Sequence, residues 1–433
     1  MSNLNQEYIK SLKESGFITE VITRDDNPHA YITNVGISTT FNNPTGRLVF
    51  ADPEMERACM DAFGYEEVDG QKIFTYELAR SVTEIPAGFL YGNKVGDNYY
   101  GAKYFDEFKY FTNCTTINCG AFVVSALRSI VIPRSVVNIK KYEGENDSVP
   151  SIHGAVPTIT GNAGMVSLKV DKANPKYTDA GADCIIEKGT MRLITATNNT
   201  LKKFPSVKTI GFCSLAMLGF NIVKEQGSHD AYGKYKYQWE YEHNTDSVLI
   251  LPSSVEAIEY EGIISSYFNM IDMSNCRKLS GLSIITDDES NMFSDVQFKH
   301  IKFYGIKYFK GEYADRGDSD INPAIQSLSF AETIEIDNDQ PVQIGSAAFY
   351  NSDGDPATLR TVILRCEVSS IDAAAFSNQH NLTRVECYSK VPPDIDDTAF
   401  ATTNENISIY VPKNLLNVYK EKFAPYAERI KPL

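Results

Sequence analysis

The chain has 433 residues, 42 % of them hydrophobic and 22 % charged, and its 41 Lys and Arg against 56 Asp and Glu leave a formal charge of −15. That much apolar residue builds a folded core, and a field of that sign repels phosphate backbones over any surface without a local basic patch, which argues against nucleic acid as a partner. No stretch approaches the roughly 20 apolar residues of a membrane-spanning helix, since the best, Ala121 to Pro133, is short and broken by Arg128.

In chain order, residues 1–17 read as a polar start and a short amphipathic helix with Tyr8, Leu12 and Phe17 as its apolar members. They lack the charged start and apolar run of a secretory leader. The chain is therefore expected in the cytoplasm or inside a phage particle, or at a cell surface if a leader has been removed. The polar, Thr/Asn-rich text of 18–49, such as ITNVGISTTFNNPTG at 32–46, suggests short strands or an extended arm. Residues 1–49 are thus either an attachment element that docks the rest on a larger body, such as a virion, or an ordinary cap.

Residues 50–116 read as an N-terminal cap for the longer segment after them, with Tyr104, Phe105, Phe108 and Phe111 at helical spacing as its core. The eight cysteines, at 59, 114, 119, 184, 213, 276, 366 and 387, form no C-x-x-C pair. They are too sparse for a disulfide scaffold and lack zinc-site spacing, so they read as buried small apolar residues.

From about residue 117 the text repeats. IGSAAFYN (344–351) overlays IDAAAFSN (371–378), and Phe349, Phe376 and Phe400 recur at shifts of 27 and 24. LRTVIL (359–364) is followed 23 residues on by LTRVEC (382–387). An earlier copy is INCGAFVV (117–124) with LRSIVIPRSVVNI (127–139), echoed by FPSVKTI (204–210), LPSSVEAI (251–258) and SNCRKLSGLSI (274–284). A period of 23–27 lies in the leucine-rich-repeat range. In such a unit Val362 and Leu364 alternate in a short strand, while the Ala-Ala-Phe step forms a turn or short helix whose Phe points inward. One unit cannot bury both faces, so copies must stack.

These residues resemble the BspA-like leucine-rich repeat proteins of Bacteroides and their relatives. FADPEMERACMDAFG (50–64), FTYELARSVTEI (74–85) and FDEFKYFTNCTTINCGAF (105–122) are similar to the segment that opens the array in that family. The stretch 168–211, with Asn174, Pro175, Tyr177, Cys184, Ile185, Ile186 and Glu187 in matching order, is similar to its long insertion-bearing repeat. ISIYVPKNLLNVYKEKFAPYAERIKPL (407–433) looks like its last strand and capping helix. The resemblance implies an α/β leucine-rich-repeat solenoid of short strands plus turns or short helices, with repeats over 117–406, irregular between about 212 and 343. The family's opening segment often carries a calcium loop; here only Asp69-Gly70 of it survives.

Neither Asp318, Asp320, Asn322 nor Asn351, Asp353, Asp355 continues into a calcium loop, because Pro323 and Pro356 replace the glycine and Ser329 and Val362 the glutamate. No H-E-x-x-H, G-x-S-x-G, G-x-x-x-x-G-K-[ST] or G-x-G-x-x-G is present, and no two histidines share metal-ligand spacing. No cofactor, metal site or catalytic residue is therefore expected.

Binding features remain. In Tyr235-Lys-Tyr237-Gln-Trp239-Glu-Tyr241 the rings alternate with polar residues, which suits one strand face. Such rings stack on sugars or anchor a protein interface, or they pack on the solenoid as a hairpin insertion. Arg316-Gly317-Asp318 is the tripeptide many integrins recognise, in a loop-like stretch. The expectation is a non-enzymatic recognition or adhesion protein for a protein or surface glycan, displayed on a phage virion or, as the alternative, on a bacterial surface. A glycan-processing enzyme is the rival from another class.

Overall fold

The computed structural model describes residues 20–24, 27–34, 46–90, 94–95, 98–122, 125–140, 164–229, 235–285, 292–294, 296–313, 321–324, 330–351 and 357–433. The expected helix within residues 1–17 lies outside them. The chain forms two units, Met1–Arg47 and Leu48–Leu433. In the first, Glu20–Arg24 and Asn27–Asn34 pair as an antiparallel hairpin.

The second unit is a solenoid of parallel strands. Its long sheet holds Val248–Ile250, Tyr267–Asp272, Gln297–Tyr304, Thr333–Asp337, Thr361–Leu364, Arg384–Cys387, Ser408–Val411 and Ile430–Pro432, each parallel to the next. Every second residue points inward, as the pleat requires. The register stacks Leu249, Ile271, Ile301, Ile334, Val362, Val385, Ile409 and Ile430 in one buried column. A second sheet, from Leu282–Ile285 through Ile306–Lys310, Val342–Ile344 and Val368–Ile371 to Asp394–Ile395, closes the other side of five of these coils.

The Ala-Ala-Phe step is a turn whose phenylalanine is fully inside. Phe309, Phe349, Phe376 and Phe400 form a stack with centroids 5.2, 5.2 and 5.1 Å apart, and the edge of Tyr426 closes it at 5.5 Å. The shifts of 27 and 24 seen in the sequence are thus single steps between coils. Three residues after the last isoleucine of a short strand the chain turns through the left-handed region. Gly88, Gly120, Cys213, Glu261, Ala347 and Ala374 have φ of 69°, 66°, 48°, 47°, 52° and 52°. Glycine fills that corner without strain in two coils, and the other four hold a residue that packing must keep there.

At the N-terminal end the helix Pro53–Phe63 is capped by Asp52, whose Oδ1 accepts the Glu54 N–H. Its Oδ2 accepts the Lys103 and Tyr104 N–H groups at the edge of a three-stranded sheet made of Tyr104–Phe105, Ser129–Ile132 and Ser167–Val170. Phe105, Phe108 and Phe111 are fully buried together, Phe105 stacked on Phe108 at 4.9 Å. Tyr104 departs from the expected core: it is 45 % exposed. The segment is a strand followed by the 3-10 helix Asp106–Tyr110, and strand alternation turns residue 104 out when 105 faces in.

The three-stranded sheet stops at Ser167–Val170. The Leu168 and Val170 N–H groups, which a further strand would accept, donate to the carboxylates of Asp183 (3.3 Å) and Asp179 (2.9 Å). The helix Asn198–Lys202 and the hairpin of Phe220–His229 with Tyr235–His243 come between it and the start of the long sheet at Val248. Asn174, 1 % exposed, ties coils together. Its Nδ2 donates to the Pro133 and Val136 carbonyls, and its Oδ1 accepts from the Lys176 and Tyr177 N–H groups. At the C-terminal end the expected strand and helix, Ser408–Val411 and Leu416–Lys422, are followed by one more strand, Ile430–Pro432.

All eight cysteines are buried and none forms a disulfide. Burial pushes the thiols of Cys184, Cys276 and Cys366 up to about 12, so they stay protonated and inert.

Candidate interaction surface

The outward residues of the long sheet form columns as regular as the inward ones. One runs Ile250, Asp272, Lys302, Glu335, Ile363, Glu386, Tyr410 and Lys431. Beside it runs Val248, Met270, His300, Thr333, Thr361, Arg384 and Ser408.

Three arginines lie on tyrosine rings across this face. The guanidinium of Arg277 is 4.2 Å from the Tyr304 centroid, that of Arg365 is 5.4 Å from Tyr388, and that of Arg384 is 4.0 Å from Tyr410. Each is also fixed by a carboxylate: Arg277 by Asp337 at 3.2 Å, Arg365 by Glu335 at 2.5 Å and Arg384 by Glu386 at 2.6 Å. The hydroxyls join the network, Tyr388 donating to Glu386 at 2.9 Å and Tyr304 to Asp339 at 2.5 Å. Lys302 meets Asp272 at 3.3 Å.

Burial alone would raise Glu386, but hydrogen bonds from Arg384 and Tyr388 with the charges of Arg384 and Arg365 outweigh it, so its carboxyl sits below the ordinary range. Asp272 is lowered in the same way, its burial offset by Ser274 and Lys302. Both stay ionised at neutral pH and hold their cations in place. Tyr304 is itself buried, 1 % exposed beneath Arg277, so the open face presents the three arginines with Tyr388 and Tyr410, ordered before any partner arrives, which lowers the entropy cost of association. Tyr and Arg are the residue types that dominate protein interfaces.

Sequence reasoning passed over these residues, because each arginine and its tyrosine are separated by a whole coil. The only trace is the run of polar residues at most outward strand positions, such as Lys302, Glu335 and Glu386. The sites picked from the sequence lie elsewhere. Residues 235–243 do form a strand, with Glu225 opposite Trp239, Gly227 opposite Tyr237 and His229 opposite Tyr235. The side chains of Tyr235, Tyr237 and Trp239 lie outside the described residues. Tyr241 is 36 % exposed, with its ring 6.1 Å from Phe220, and burial pushes its hydroxyl up to about 12. The hairpin root is an aromatic cluster in which His243 stacks on Tyr267 at 4.1 Å. Arg316, Gly317 and Asp318 lie outside the described residues. Asp69 and Gly70 form the tight turn of the hairpin Glu66–Val68 with Gln71–Ile73. Among the described residues no group of three or more His, Cys, Asp or Glu is placed to hold a metal ion, and no helix is long and apolar enough to cross a membrane.

Residues 92–152 and 323–428 match the BspA type leucine rich repeat region, in six copies. Two solved structures are similar over much of the chain. The pneumococcal vaccine antigen PcpA is 10 % identical with a TM-score of 0.35, covering 74 % of this chain and 59 % of that one. A leucine-rich repeat protein from Eubacterium ventriosum ATCC 27560 is 16 % identical with a TM-score of 0.36, covering 68 % of this chain and 63 % of that one. The chain thus spans about three fifths of the length of each. No curated protein matches it. Between the matched segments the long sheet continues without a gap from Val248 through Thr333, so the array includes coils whose text has drifted. The chain carries BspA-type leucine-rich repeats and folds as a leucine-rich-repeat solenoid.

Proposed function

We propose that this is a non-enzymatic recognition protein whose partner is a protein, docked on the outward face of the long sheet. The observation that carries this is the pair of preordered Arg–Tyr contacts, Arg365 on Tyr388 and Arg384 on Tyr410, with Arg277 held over the buried Tyr304 beside them. Eight strands at about 4.8 Å spacing give a face roughly 34 Å wide, too broad for a small substrate and suited to a folded partner. Carboxylates and cations alternate across it, so it selects a partner of mixed charge through complementarity.

The test uses fluorescently labelled full-length protein on a panel of bacterial and animal cells. Binding should vanish after trypsin treatment of the cells and survive periodate oxidation. The Arg384→Ala/Tyr410→Ala variant should bind about tenfold or more weakly with an unchanged circular dichroism spectrum. Binding that survives trypsin, or that is the same in the variant, refutes the assignment. A Tyr237→Ala/Trp239→Ala variant measured alongside reads the contribution of the hairpin. Immunogold labelling with an antibody to the C-terminal coils, on producing cells and on particles they release, reads where the protein is displayed.

A further inference from the structure

A hairpin leaves the solenoid where the sheet is interrupted. Its strands, Phe220–His229 and Tyr235–His243, are the longest among the described residues and form a two-stranded sheet of their own. The root is held by rings, with Tyr241 and His243 beside Phe220 and His243 on Tyr267 and edge-on to Phe330. Asn98–Tyr99 comes near the second strand but belongs to a separate sheet, so among the described residues no strand is hydrogen-bonded to its outer edge. A two-stranded hairpin is marginally stable by itself, and an unpaired edge of this length is a template for a further strand.

The sequence of that edge says what the further strand is. From Lys234 to Glu242 it reads KYKYQWEYE, with both lysines before Gln238, both glutamates after it, and all four at alternate positions. Laid antiparallel on a copy of itself about Gln238, it brings Lys236 opposite Glu240 and Lys234 opposite Glu242, on each side of the axis. The same register sets Tyr235 opposite Tyr241 and Tyr237 opposite Trp239. Opposite charges and aromatic pairs across a ladder favour pairing, and like charges oppose it. Centring the pair on Trp239 leaves only Lys236 opposite Glu242, so the pattern also selects the register. The first strand has no such pattern, because its Lys224 and Glu225 are adjacent and fall on opposite faces. Glu240, its side chain 63 % exposed, meets Lys224 at 2.8 Å inside the hairpin and keeps acceptor sites for a second cation. We propose that two copies of this chain associate through the outer edges of their Tyr235–His243 strands, joining two hairpins into a four-stranded antiparallel sheet about a two-fold axis.

Sedimentation equilibrium of the full chain tests this. As concentration rises into the high micromolar range the mass should climb from that of one chain toward that of two, and less so at high salt. Lys236→Glu sets like charges against each other at both ends of the pairing and should weaken association about tenfold or more. Lys224→Glu/Glu240→Lys keeps the ion pair inside the hairpin in reverse and should weaken it as much, with circular dichroism spectra unchanged in both variants. Mixing the two variants should restore association, because position 236 of each copy then meets the opposite charge at position 240 of the other. The mass of a single chain at every concentration, an unweakened dimer in either variant, or a mixture that stays monomeric would each overturn the assignment. None of these outcomes bears on the long-sheet face, which lies on other residues.

Discussion

Replacing Phe376 by alanine tests the repeat packing most directly. The ring is fully buried and stacked between Phe349 at 5.2 Å and Phe400 at 5.1 Å, with interplanar angles of 15° and 5°. Emptying such a site costs about 3–5 kcal/mol, of which the two ring pairs account for about 1–3 kcal/mol. Phe376→Leu keeps most of the volume and loses the ring pairs, so it should cost about 1–3 kcal/mol, less than the alanine variant. The loss should also be local, because coils in a solenoid touch only their neighbours. The molecule has two large separate cores, one holding Phe376 and the other holding Phe105, Ile130 and Leu168. Urea unfolding followed by circular dichroism gives the size of the effect, and hydrogen exchange read by mass spectrometry gives its place. In Phe376→Ala the amides of Val362, Val385 and Ile409 should exchange faster, while those of Ile130 and Leu168 keep their protection. A loss below about 1 kcal/mol would show that the stack is not a core element. Equal loss of protection in both cores would refute the coil-by-coil account.

Two further substitutions probe other parts of the frame. Asn174→Ala removes four hydrogen bonds from its buried side chain to backbone groups and should cost about 3–4 kcal/mol by urea unfolding; an effect within experimental error would mean that the two segments are held by packing alone. Glu107 is buried with Oε1 on the Ala51 N–H and Oε2 without a hydrogen-bond partner among the described residues. Burial, with Asp106 adding to it, raises its carboxyl. A raised folded-state value means that stability is fully present below the unfolded value, about 4.3, and is lost as pH rises through the folded one. Glu107→Gln keeps an acceptor for Ala51 and escapes that loss. It should melt higher than the parent at pH 8, with the difference shrinking toward pH 4, and a constant difference across that range would contradict the argument.

The repeat phase was legible because two kinds of residue recur together: the Phe of the turn and the alternating apolar pair of the strand. Phe349, Phe376 and Phe400 stack in the order their spacing implies, and Val362 and Leu364 pair with Val385 and Cys387. The Arg–Tyr face was not legible. Alternation says which side chains point outward, but which outward residues meet depends on the length of every coil. Aligned long-sheet positions run from Tyr267 to Gln297 and from His300 to Thr333 before settling at Thr361, Arg384 and Ser408. Those early coils are longer because their loops are, and loop length leaves no periodic trace. Tyr104 shows the complementary failure, where a helical spacing of rings concealed a strand that turns its first residue to solvent.

The ends of the strand stack bear on how the protein behaves at high concentration. A pile of parallel strands is a template for its own growth, since each terminal strand presents a row of donors and acceptors to the next molecule. Here Asp52 takes two of the donors at one end and Asp179 and Asp183 take those at the break. At the other end the final strand finishes on Pro432, which has none to give. These plugs blunt the open strand edges of a fibre-like architecture, and replacing the two aspartates at the break would leave the Leu168 and Val170 donors to a neighbouring strand.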